Sequence, residues 1–235
     1  MQTVQNIRDQ FLEKFLNKEF VGNTVEIIGA TFLADEPVIF GEINHDWNQR
    51  ELEWYESISR NVNDIEGNIP TIWKRVATPD GRINSNYGWC IWSEENGSQY
   101  KHVLEKLKLD RNSRQGEMVY VRPNIHSEWN KDGMSDFICT IANMFFIRDN
   151  RLVSHYIFRS NDSVHGYKGD VFWASEVQRR LAKDLNVEVG DLIWTGSSQH
   201  IYDRHYYLID HYAKTGEISI LKEKYAELYP DSEYL

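Results

Sequence analysis

A chain of 235 residues with 41% apolar and 13% aromatic content can bury a full core, which argues for one globular domain over residues 1–235 and against a disordered polypeptide. The formal net charge of −10 repels a phosphate polymer, and no Lys/Arg-rich block offers a nucleic-acid footprint. A mononucleotide held by a few local arginines is still permitted. The opening "MQTVQNIRDQFLEKFL" carries acids and lacks a continuous apolar run, so neither a secretory signal nor a membrane span is expected, and the protein is assigned to the cytoplasm.

In chain order, Val4, Ile7, Phe11 and Phe15 recur at helical spacing after a cap at Thr3, and "TVEIIGATFLA" reads as a β-rich segment. "NQRELEWYESISR", from Asn48 to Arg60, predicts a helix with Leu52, Tyr55 and Ile58 on one stripe. "YKHVLEKLKL" is a short helix, and "EMVYVRP" is a strand ended by proline. The strongest β signal is "FICTIANMFFI", then "RDN" as a polar turn, then "RLVSHYIF", which together predict a hairpin. "ASEVQRRLAKDL" is a helix with Ala174, Val177, Leu181 and Leu185 on one face; "GDLIWTG" is a strand, and Tyr202 to Lys214 another helix. No repeat or linker interrupts the pattern, so the class is α/β or α+β with a mixed sheet.

The chain has two cysteines. Their distant positions and the cytoplasmic assignment argue against a disulfide, and no paired Cys/His spacing suggests zinc, so no metal is expected. A lone cysteine in a strand is ordinarily a small buried hydrophobe, which is how Cys90 in "NYGWCIW" reads. Cys139 differs. If the hairpin turns at Asp149 and Asn150, Cys139 falls opposite Ser160 and next to Arg159. A guanidinium there favours the nucleophilic thiolate, and the same Arg159 and Ser160 could hold a phosphate.

"ELEWY" from Glu51, "NSNYGW" from Asn84, "DGMSDFICT" from Asp132, "RSNDSVHGYKGD" from Arg159 and "HIYDRH" from His200 together resemble the thymidylate synthase superfamily, in family order and over most of the chain. Within it they look most like the deoxycytidylate hydroxymethylases of T-even phages. The resemblance implies a thymidylate-synthase-like α/β fold, a mixed β-sheet packed with helices. It also implies a homodimer with a pyrimidine nucleoside monophosphate and 5,10-methylenetetrahydrofolate as substrates, acting in host cytoplasm if a phage encodes it. Cys139 would add to C6 of the pyrimidine, Arg159 and Ser160 would bind the 5′-phosphate, and His200 and Tyr202 the sugar hydroxyl. Arg114 matches the first of two arginines that the superfamily reaches to the partner's phosphate; the second is Gln115 here, which removes one charge-assisted contact.

Asp170 stands where synthases resemble one another in having asparagine. An amide matches the N3 donor and O4 acceptor of uracil, whereas a carboxylate accepts from the N4 amino group of cytosine and from N3 once that is protonated. Asn161 could add a polar contact near the same edge. Glu51 matches the general acid/base that organises water, and Glu53 points elsewhere on its helix. Trp73, Tyr87 and Asp162 match positions near the bound folate. Polar base contacts, a C-terminus without an apolar tail and Thr140 after the nucleophile lean towards hydration and a hydroxymethyl product from dCMP. The alternatives are a CMP hydroxymethylase, a dUMP hydroxymethylase or thymidylate synthase, a Cys/His hydrolase using Cys139 and His200, and a nucleotide-binding module without chemistry.

Overall fold

The computed structural model describes residues 1–235. Contacts gather it into two units, one of residues 1–43, 158–175 and 191–235, the other of residues 44–157 and 176–190. The chain begins with β1 (Gln2–Thr3), α1 (Val4–Leu16), β2 (Phe20–Val21) and β3 (Thr24–Leu33). It continues through α2 (His45–Glu56), α3 (Thr71–Val76), α4 (Tyr87–Trp92), α5 (Gln99–Leu109), β4 (Gly116–Val119), α6 (Ile125–Glu128), β5 (Thr140–Arg148) and β6 (Arg151–Phe158). It ends with β7 (Asn161–Asp162), α7 (Gly166–Leu185), β8 (Glu188–Tyr202), α8 (Tyr206–Thr215) and α9 (Lys222–Leu228).

In the first unit the Thr3 side chain accepts from the Asn6 amide while Asn6 Oδ1 accepts from the Thr3 amide at 3.0 Å, a reciprocal cap that starts α1. The expected stripe of Val4, Ile7, Phe11 and Phe15 is buried and packs on β3. The strand path is β1–β3–β8, with β1 parallel and β8 antiparallel to β3, and β7 parallel to β8. That mixture of directions, packed with helices, is the α/β class expected.

At Gly29 (φ +69°) the inward face of β3 changes parity, from Val25 and Ile27 to Ala30 and Phe32. Opposite it, β8 makes the same change, from Leu192 and Trp194 to Gln199 and Ile201. A left-handed residue inside a strand is a task for glycine, and the break turns Gln199 inward.

In the second unit the path is β6–β5–β4. The predicted hairpin forms, and both turn residues, Asp149 (φ +50°) and Asn150 (φ +58°), adopt the left-handed conformation that a two-residue turn between twisted strands requires. Its first strand is shorter than expected: β5 starts at Thr140, so Cys139 sits at the strand's entrance rather than inside it. Upstream, the Asp136 carboxylate accepts from the amides of Asn84 and Ser85, both at 2.7 Å, so that stretch is held by a loop instead of a ladder. α2 ends at Glu56, and Ile58, expected on the buried stripe, is exposed with φ +51°. α7 begins eight residues before the predicted helix and places Asp170 on a helix, where its flanking glycines suggest a loop.

Candidate active site

In the second unit, Asn44 caps α2 by accepting from the Trp47 amide at 3.0 Å, and Arg50 pairs with Asp46 one turn earlier. One face of this helix then carries Glu51, Trp54 and Tyr55, all buried, while Glu53 is exposed and bonded to Gln49. Burial of Glu51, with only 8% of its surface exposed, is unusual for a carboxylate and marks it apart from an ordinary helical acid. Tyr87 stacks on Tyr55 at 5.2 Å, and Trp73 meets Trp54 edge-on at 5.7 Å. The structure therefore groups Glu51's helix with both aromatic residues expected near folate. Gly88 permits the approach: a Cβ there would lie 1.8 Å from the Tyr55 carbonyl oxygen.

Cys139 is half-buried, its Sγ 3.9 Å from the Phe137 carbonyl. Cys90 is fully buried, and burial pushes its thiol up to about 12 despite Arg122 and Arg60 nearby. Asp136, three residues before Cys139, also takes the Ser85 hydroxyl at 2.7 Å; burial raises its carboxyl and these three donors oppose that rise. Asn84 Oδ1 accepts from Arg60 at 2.6 Å and Arg122 at 3.1 Å, and both guanidiniums lie over the Trp89 ring. This frame of Asn84, Ser85, Asp136, Arg60 and Arg122 escaped the sequence reading, although "NSNYGW" and "DGMSDFICT" contain three of its members. Arg114 is exposed on the turn before β4.

In the first unit, Arg159 is exposed and Ser160 half-buried just after β6, and the Arg159 carbonyl accepts from the Ser198 amide at 3.2 Å. β7 then aligns Asn161 with Gln199 and Asp162 with His200. Asp162 Oδ1 accepts from the amides of Val164 (2.8 Å) and His165 (3.2 Å), and Oδ2 pairs with Arg204 at 3.4 Å. Asn161 Nδ2 donates to Asp170 Oδ2 at 2.7 Å, which joins the two residues expected at the base edge.

His200 and Tyr202 are two apart on β8 and so project to one face, with ring centroids 4.9 Å apart. His200 Nδ1 lies 3.3 Å from the Ser198 carbonyl oxygen and 3.5 Å from the Ser198 hydroxyl. Arg204 stacks over Tyr202 at 4.2 Å and donates to His205 Nε2 at 3.1 Å. Burial, then the neighbouring His165, brings His205 down to about 4. No group of three or more His, Cys, Asp or Glu side chains is gathered as metal ligands would be.

This fold and these motif residues define a recognised class, and residues 42–219, more than half of the chain, match the thymidylate synthase family profile. The chain belongs to the thymidylate synthase family. It is 46% identical to the deoxycytidylate 5-hydroxymethyltransferase of Enterobacteria phage T4, an alignment covering 97% of each protein, and 46% identical to that of phage T2 over 95% of this chain and 96% of the relative. It is 30% identical to the thymidylate synthase of Francisella philomiragia over 66% of this chain and 60% of that one. Among solved structures, thymidylate synthase A from Bacillus subtilis superposes with a TM-score of 0.70, covering 91% of this chain and 84% of the other at 22% identity, which is a likeness of fold.

Proposed function

We propose that this chain is a deoxycytidylate 5-hydroxymethyltransferase, converting dCMP, 5,10-methylenetetrahydrofolate and water to 5-hydroxymethyl-dCMP and tetrahydrofolate. The 46% identity across 97% of both chains to the phage T4 transferase carries the reading. The Asn161–Asp170 bond supports its base specificity, because a carboxylate fixed by an amide N–H is an oriented acceptor for the donors on cytosine.

Cys139 is the nucleophile. Its sulfur bonds to C6, which makes C5 electron-rich enough to take up the methylene that folate supplies; loss of the C5 proton and of tetrahydrofolate leaves an exocyclic methylene. Water adds to that carbon, and the thiolate departs as the ring regains its double bond. Partial exposure fits Cys139 to this task, and the raised, buried thiol of Cys90 does not fit it. Glu51 orders the water and moves protons, and its burial sharpens that role.

Asp170 holds the cytosine edge and binds the N3-protonated adduct more tightly than the free base, which is differential binding of the kind that accelerates a reaction. Arg159 and Ser160 take the 5′-phosphate, with Arg114 contributing from the second subunit of a homodimer. His200 and Tyr202 hold the sugar hydroxyl. Trp73, Tyr87 and Asp162 are the residues assigned to the bound folate. The chain works as one domain, since α7 and β8 each contribute residues to both units. Its place of action is the cytoplasm of an infected host.

The test is mass spectrometry of the product after incubation with dCMP, CMP and dUMP in parallel, each with 5,10-methylenetetrahydrofolate. A hydroxymethyl adduct of dCMP formed fastest supports the proposal. A methylated dUMP, a faster CMP reaction, or no release of tritium from C5 of labelled dCMP would replace it.

A further inference from the structure

We infer that Gln199 is a positioning residue that sets the direction of a hydrogen-bond relay from Gln199 through Asn161 to Asp170, and thereby the preference for cytosine over uracil. This rests on the proposed role of Asp170 at the base edge and adds a residue that touches neither base nor folate.

Gln199 is fully buried on β8, turned inward by the parity change opposite Gly29. Its Nε2 donates to Asn161 Oδ1 at 2.9 Å and to Ser163 Oγ at 2.8 Å, which uses both amide hydrogens. Asn161 Oδ1 is thus occupied, and Asn161 presents Nδ2 to Asp170 Oδ2 at 2.7 Å. Each amide has a donor end and an acceptor end, so the relay has two self-consistent directions. In the reverse one, Asn161 Oδ1 would face Asp170, and an ionised carboxylate only accepts. Two oxygens at that separation are repulsive unless Asp170 takes up a proton, and that proton would be committed to Asn161, leaving the acid fewer acceptor sites for the N4 amino group and the protonated N3 of cytosine. The observed direction leaves Asp170 as an acceptor.

The structure maintains that direction at a cost. Gln199 Oε1 is buried with no hydrogen-bond partner, which ordinarily counts against a fold. It lies where a side chain at residue 196 would be, since a Cβ built on Gly196 comes within 2.4 Å of it. A buried amide that leaves its oxygen unpaired while committing both hydrogens to Asn161 and Ser163 is placed for donation.

The experiment measures dissociation constants of dCMP and dUMP, with kcat on dCMP, for the wild type, Gln199→Met, Gln199→Glu, Asp170→Asn and the double variant Asp170→Asn/Gln199→Glu. Gln199→Met removes the donor at similar volume and should lower the dCMP-over-dUMP preference about tenfold, mainly by weakening dCMP binding. A carboxylate can only accept, so Gln199→Glu, assayed above the pH at which its buried carboxyl ionises, reverses Asn161 and should lower the preference further. In Asp170→Asn the unreversed relay engages the new amide's oxygen and leaves its NH2 for O4 of uracil, so dUMP becomes preferred. Adding Gln199→Glu reverses Asn161, which engages that NH2 instead, and preference for dCMP returns.

Return of the preference in the double variant is an outcome that a merely structural role for Gln199 would not produce. If Asp170→Asn switches the preference, but folded Gln199 variants leave the ratio unchanged and the double variant behaves as Asp170→Asn alone, the relay is wrong. If Asp170→Asn itself leaves the preference unchanged, the base assignment fails instead. Should Gln199→Glu not fold, the ratio for Gln199→Met decides.

Discussion

Replacing Gly88 by alanine sets two known effects against each other, and the structure decides the sign. Gly88 lies in α4, where alanine's helix propensity favours the substitution by about 1 kcal/mol. An added Cβ, however, would sit 1.8 Å from the Tyr55 carbonyl oxygen, 2.5 Å from its carbon and 2.9 Å from the Trp92 ring. Ordinary contact needs about 3.5–4 Å between carbons, so α2 and α4 must part by more than a side chain can absorb. The separation strains the Asn86 Nδ2 to Trp54 carbonyl bond (2.9 Å) and the Tyr55–Tyr87 stack (5.2 Å). Overpacking costs about 1–3 kcal/mol, and weakening one buried hydrogen bond adds about 1 kcal/mol. After subtracting the propensity gain, a net loss of about 1–3 kcal/mol remains. Urea unfolding should show a lower midpoint at unchanged slope, and KM for 5,10-methylenetetrahydrofolate should rise while that for dCMP holds. A variant as stable as the wild type, or more so, refutes the close-approach argument.

Three further outcomes are expected. Iodoacetamide near pH 8 should label Cys139 in the folded protein and spare Cys90, whose thiol is pushed up to about 12 by burial, and Cys139→Ser should abolish both product and C5 tritium release; peptide mapping checks the first claim and turnover the second. His205, held near 4 in the fold against an ordinary 6.5, is neutral when folded and charges more readily when unfolded. Its depressed value therefore contributes stability above about 6.5 that is lost as pH falls towards 4, and the urea midpoint of His205→Gln should depend less on pH across that window than the wild type's. Trp73→Ala should raise KM for folate about tenfold with KM for dCMP little changed, as expected when one stacked ring is removed; an unchanged folate KM would assign Trp73 to packing.

Local patterns in the chain were readable where a single element carries the information. The cap at Thr3 and the stripe to Phe15 needed only helical spacing, and the hairpin needed only "RDN" between two β-rich runs, because Asp149 and Asn150 tolerate the left-handed region. The sequence predicts too short an α7, although Tyr167 and Val171 continue its buried face, because the glycines at 166 and 169 resemble a loop and tertiary burial outweighs their low propensity. The entrance position of Cys139 was hidden, since what withholds "SDFIC" from the strand is Asp136 binding amides some 50 residues away.

The amino-acid order by itself determined the chemical inventory: two thiols, an acid in an aromatic-rich helix, a carboxylate in "YKGD", and the helices and strands that carry them. Tertiary structure alone decided which thiol is accessible, which acid is buried and which way the amides of Gln199 and Asn161 point. The physical reason is that propensity and periodicity act over a few neighbouring residues, whereas burial and hydrogen-bond direction depend on partners brought together by the fold.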